Sequence, residues 1–214
     1  MDKTIVYTDS ENPTVSSDKA DFDIAFIKDQ DFFMVFDNWV SFIKGVEKTI
    51  RQSDSYSQYI AHISELGLTK CQVLGHVDSN MSELGHKVSV EMHHGPLLTL
   101  FDYVSIVITY MLKHKQKITS MRVAKIVMDE HWLGNVQTVM LSATAHAAVD
   151  SGKMFISFNQ GHGNIINFLK KYRDGITDEQ REKINKFIRM SYKWKSTDNG
   201  LFDLHDTMKN WNIA

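Results

Sequence analysis

From Phe32 to Gln52 the apolar residues Phe36, Trp39, Val40, Phe42, Ile43, Val46 and Ile50 recur every three or four positions, the period of a helix with one buried face. A second helix is predicted from Ser55 to Leu66, stopped by Gly67. The period then drops to two. Lys70–Leu74 and Lys87–Met92 alternate as half-buried strands joined by a polar link containing Asn80 and Gly85, and the second strand runs into His93-His94-Gly95-Pro96. Leu98–Lys113 is almost continuously apolar, as a buried helix requires, and Thr119 caps a further helix that runs through Trp132 to Gly134. After an apolar run, Val136–Leu141, an alanine-rich stretch from Ser142 to Asp150 predicts a short helix, with Ser142 as its cap and Gly152 just past its end. Lys153–Phe158 predicts a strand, and Asn164–Tyr172 and Asp178–Lys193 predict two helices, the second capped by Thr177. Residues 1–30 carry only short alternations, Thr4–Tyr7 and Phe22–Phe26, and predict a weak strand or an irregular arm. A compact α+β fold is expected.

Composition narrows the class without naming a function. With 214 residues, 43% hydrophobic and 23% charged, the chain is an ordinary globular protein rather than a disordered, collagenous or coiled-coil one. The single cysteine, Cys71, excludes an internal disulfide and any metal site built on cysteine pairs, so a metal would need His, Asp, Glu or Asn from a chain with ten histidines. No apolar run is long enough to cross a membrane and no secretory signal begins the chain, so the cytoplasm is the expected compartment, the host's if the chain is phage-encoded. The net charge of −2 is unevenly spread. Residues 1–40 hold nine acids against three lysines, Tyr103–Met128 hold five basic residues and no acid, and Ile165–Lys195 hold nine basic residues against four acidic ones. Such basic stretches can bind a polyanion locally, although solvated helix faces also explain them.

Two predicted elements together carry chemistry. On a strand ending at residue 94, Glu91 and His93 share one face and His94 takes the other. On a helix, His146 and Asp150 stand one turn apart on one side, where both can hold one cation. Three ligands, His93, His146 and Asp150, would leave positions open for water and substrate, the arrangement of a catalytic metal, and His94 would be free to act as a general base.

The run Val90-Glu91-Met92-His93-His94, the later Asn135 and the segment His146–Lys153 resemble the His-Asn-His nuclease motif, including its form in nuclease colicins. The stretch from about Tyr59 to Ile188 is also similar to uncharacterised proteins of large tailed bacteriophages. The resemblance implies a ββα-metal core within residues 69–160, interrupted by a helical insert at 97–134. An acidic arm (1–30) and helices (31–68) precede that core, and a helical segment (161–214) follows it. It implies an endonuclease that hydrolyses DNA phosphodiester bonds. In that reading His94 activates water, Glu91 orients a histidine, Asn135 braces the connecting loop, and His93, His146 and Asp150 hold the metal. Asp150 stands where the family has a second helix histidine, and this harder ligand favours Mg²⁺ or Mn²⁺ over Zn²⁺. Forty residues separate His94 from Asn135, and Gln137 rivals Asn135 for the asparagine role.

Given that site, Lys113, Lys115, Lys117, Arg122, Lys153, Lys170 and Lys171 are the expected contacts to the DNA backbone. His131, at a predicted helix end, faces the negative end of the helix dipole, with a ligand role as the alternative. The competing expectation is a non-catalytic phage protein, binding nucleic acid or protein, that keeps the nuclease fold.

Overall fold

A computed structural model describes residues 27–75, 77–78 and 89–193, together with the short strands β1 (Ile5–Tyr7) and β2 (Pro13–Val15), which pair antiparallel. The expected alternation at 22–26, the Asn80–Gly85 link, most of the acidic arm and the chain after residue 193 lie outside the described residues. The fold is α+β: the described residues form eight α-helices and small two-stranded sheets.

Helices α1 (Gln30–Met34), α2 (Phe36–Arg51) and α3 (Asp54–Glu65) come first. The apolar stripe of α2 buries Ile43, Val46 and Ile50, and Ser53 caps α3 by accepting the Tyr56 N–H. Helices α4 (Leu100–Lys113) and α5 (Ser120–Trp132) follow. Thr99 and Asp102 close a reciprocal capping box at the start of α4, and Thr119 accepts the Arg122 N–H to start α5. Both pack on α2, and their buried faces join those of α7 (Ile165–Lys171) and α8 (Asp178–Lys193) in one apolar core around Tyr103, Val107, Val127 and Phe168.

The remaining unit is small and antiparallel. Strand β3 (Val90–His94) pairs with β4 (Thr138–Ser142) in the register Glu91–Leu141, His93–Val139, His94–Thr138, and the chain passes from β4 directly into helix α6 (Ala143–Asp150). Ser142 is both the last strand residue and the cap of α6, accepting the Ala145 N–H, and Gly152 adopts φ +69° just beyond the helix, a conformation that suits glycine alone at low cost. All five residues of β4 are buried because the strand lies between two cores. Val139 and Leu141 face Ala145 of α6, Cys71 and Ile156, whereas Met140 faces the helical core.

Two expected strands are corrected. Lys70–Leu74 is a tight turn rather than a strand: Lys70 bridges Asp78, the Val77 carbonyl accepts the Cys71 N–H, and the Leu74 N–H reaches the Cys71 sulfur. Short-range bonds take the Cys71 and Leu74 donors, while the Gln72 N–H donates to the Met140 carbonyl of β4, and β3 takes β4 as its ladder partner from across the 43 intervening residues, 95–137. Among the described residues Met154–Ser157 belongs to no named strand, and a 3₁₀ turn follows at Phe158–Gln160.

Candidate metal centre

The two faces of β3 meet different surroundings. On the α6 side, His93 Nδ1 lies 3.9 Å from Asp150 Oδ1, and His146 Nε2 lies 3.5 Å from Asp150 Oδ2. The two imidazoles meet edge to face at 4.7 Å. One donor atom from each of His93, His146 and Asp150 fits within 4.8 Å of the others. Donors about 2.0–2.3 Å from one cation lie roughly 3–4.5 Å apart, so side-chain adjustments of a few tenths of an ångström would bring all three onto an ion.

Glu91 gives this group its chemical sense. Its carboxylate accepts from His146 Nδ1 at 3.0 Å, and the hydrogen bond from His146 holds the Glu91 carboxyl below its ordinary range. A proton on Nδ1 leaves Nε2 of a neutral ring with its lone pair turned towards Asp150, the tautomer a metal requires, fixed from behind by a carboxylate. Burial, reinforced by His146, keeps the His93 imidazole below its usual range, which favours the neutral ligand form. Gly95 packs against that ring: a Cβ at this position would meet His93 Cδ2 and Nε2 at 3.0 and 3.1 Å. The cluster opens to solvent on the Asp150 side, where that carboxylate is 62% exposed against 14% for the His93 side chain.

His94 is elsewhere, and its expected role needs correcting. It points from the opposite face of β3 into the helical core, 4% exposed, with Nε2 2.9 Å from His131 Nε2 and its ring stacked on Tyr56. His131 Nδ1 must donate to the Val127 carbonyl at 2.7 Å, so its Nε2 accepts and His94 Nε2–H donates. His94 Nδ1 has no partner among the described residues. Burial, with His131 and other nearby cations adding to it, holds the His94 imidazole far below its ordinary range. Strand alternation put His94 on the face away from the cluster, and α5, part of the 97–134 segment, covers that face and closes it to water.

Asn135 is also away from the cluster. Its side-chain amide donates to buried Glu130 at 2.7 Å, and Glu130 in turn holds the Tyr172 hydroxyl and the Lys171 ammonium. Gln137 is buried against the 3₁₀ turn, donating to the Phe158 carbonyl. The expected DNA contacts scatter as well. Lys113, Lys115 and Lys117 surround the α4–α5 turn, with Arg122 on the first turn of α5, nine residues before His131, or about 13 Å along the axis at 1.5 Å per residue. That places them at the far end of α5 from His94. All four are exposed, as are Lys153 and Lys170, whereas the charge of Lys171 is taken by Glu130. Lys153 sits three residues past Asp150.

One charge acting on these histidines carries no sequence signal. The positive charge of Arg51, the exposed last residue of α2, adds to the lowering of both His93 and His94 after burial and the neighbouring histidine. It reads in the sequence as one more polar position on an amphipathic helix.

A family model described as bacteriophage G278-like virion protein matches residues 2–211, and the chain belongs to that family. The protein is therefore of bacteriophage type. No curated protein and no solved structure is detectably similar to it. Among the described residues no helix is long and apolar enough to cross a membrane.

Proposed function

We propose that this virion-family protein binds a divalent cation at His93, His146 and Asp150 and hydrolyses phosphodiester bonds in DNA at that site. The observation that carries the reading is the convergence of three donors from a strand and the helix that follows its partner, with Glu91 holding His146 in the metal-binding tautomer. The order of two antiparallel strands and a helix, with ligands from the first strand and the helix, agrees with the ββα-metal resemblance. The hard Asp150 oxygen favours Mg²⁺ or Mn²⁺, whereas the two imidazoles also suit Zn²⁺. When bound, the ion supplies Lewis acidity to a phosphoryl oxygen and offsets charge growing on the leaving oxygen. His93, His146 and Asp150 would hold the ion, Glu91 orients His146, and the exposed Asp150 edge admits the substrate. His94 takes no part in proton transfer.

The burial of His94 favours a second reading, a protein that keeps the fold and the cation but does not cut. Incubating supercoiled plasmid with the purified protein and Mn²⁺ or Mg²⁺ separates the two. Hydrolysis predicts nicking that Asp150→Ala and His146→Ala reduce by at least about a hundredfold. Mn²⁺ binding with no nicking by wild type selects the second reading.

A further inference from the structure

The metal-binding tautomer of His146 depends on where the Glu91 carboxylate points, and Glu91 by itself is a loose anchor. Its side chain is half exposed on a flexible stem, and the bond from His146 Nδ1 uses only one of its oxygens, Oε2. With that bond alone the carboxylate could swing out to water, where hydration competes with the imidazole. The His146 ring is itself partly exposed, and without a fixed acceptor it would share its proton between Nδ1 and Nε2.

Ser89 holds the other oxygen. It immediately precedes β3 and stands two residues from Glu91, the spacing that puts side chains on one face of a strand. Its hydroxyl donates to Glu91 Oε1 at 3.2 Å, so each carboxylate oxygen has a protein donor. Its carbonyl accepts the Ala143 N–H at 3.3 Å, one of the four N–H groups that the start of α6 leaves without a partner inside the helix. Ala143 and His146 are three residues apart on α6 and so lie on one side of it. One residue therefore ties down both the start of the helix that carries two ligands and the carboxylate that grips the first of them.

We propose that Ser89 is a positioning residue of the cation site: its hydroxyl fixes the Glu91 carboxylate, which keeps the proton on His146 Nδ1 and leaves Nε2 for the ion. The proposal rests on the cation site argued above. The test uses the full chain, with Mn²⁺ affinity from calorimetric titration. The His146 tautomer is read from imidazole nitrogen NMR shifts of the metal-free protein at a pH where the rings are neutral. Ser89→Ala, which keeps the carbonyl bond to Ala143, is expected to keep the metal-free thermal midpoint of wild type and to move His146 from the Nδ1–H form towards a mixture. It should weaken Mn²⁺ binding by about three- to tenfold, at the low end of the range for loss of a direct partner. Ser89→Thr should restore both affinity and tautomer. Because the hydroxyl acts through Glu91, Ser89→Ala should add nothing to the loss already caused by Glu91→Ala. Wild-type affinity or an unshifted tautomer in Ser89→Ala, or a full further loss in the Glu91→Ala background, overturns this proposal and leaves the cation site standing. Failure of the wild type to bind Mn²⁺ overturns the cation site and the role of Ser89 with it.

Discussion

His94 and His131 form a hydrogen-bonded pair in the core, and the pair governs how the protein responds to acid. Burial pushes the His131 imidazole down to about 4 and moves His94 in the same direction. An unfolded histidine titrates near 6.5, so between about pH 6.5 and 4 the unfolded chain binds more protons, and stability present at neutral pH drains away as pH falls. For His131 the full effect is about 3 kcal/mol, of which roughly 2 is lost by pH 5. Thermal unfolding from pH 7 to 5 should show a falling midpoint, and His131→Gln should take about one proton out of the linkage; an unchanged slope would contradict the pairing. His94→Phe should keep the contact with Tyr56 yet strand His131 Nε2 without a donor, destabilising the fold by about 1–3 kcal/mol while leaving Mn²⁺ binding near wild type. A general base would show the reverse, an intact fold with cleavage lost. At this scale the sequence was informative about partners on one face and silent about the other. Period-two alternation put Glu91 and His93 together and helical spacing joined His146 to Asp150, but nothing local says that a helix beginning at Ser120 will cover His94.

Helix α6 is the element on which the site turns, since it holds two of the three ligands and packs against both β3 and β4. The spacer in that contact is Ala145, fully buried against Val139, Leu141 and Ile156. A leucine there would have to push the helix off the sheet, at a cost of about 1–3 kcal/mol. The same displacement would carry His146 and Asp150 away from His93, so Ala145→Leu should lose at least about tenfold in Mn²⁺ affinity by calorimetric titration. Wild-type affinity in a folded Ala145→Leu protein would show that α6 does not set the ligand spacing. The helices were legible because caps and period agree: Thr119, Ser142 and Gly152 all mark real boundaries. Strand pairing was not. Lys70–Leu74 alternates like a strand, but its Cys71 and Leu74 donors close a local turn, and the choice of β4 as the partner of β3 is made by α4 and α5, which bring residues 94 and 138 together.

For the molecule as a whole, the cation site is a clasp between parts of the chain far apart in sequence, since His93 precedes the α4–α5 hairpin and His146 and Asp150 follow it. An ion held by all three binds the folded chain and not the unfolded one, so it must raise the stability of the whole domain by mass action. At a free concentration a hundred times the dissociation constant the gain is about 2.7 kcal/mol, and in a chain of this size each kcal/mol moves the thermal midpoint by roughly 2–4 °C. Saturating Mn²⁺ should therefore raise the midpoint of wild type by about 5–10 °C. Asp150→Ala, which removes an exposed ligand and touches neither core, should unfold at the metal-free wild-type temperature and gain little from Mn²⁺. Glu91→Gln should fall between, because His146 stays a ligand but loses the carboxylate that fixes its tautomer, a change that typically weakens metal binding 10–100-fold. Equal Mn²⁺ shifts in all three proteins would mean that the ion stabilises the chain somewhere other than this cluster.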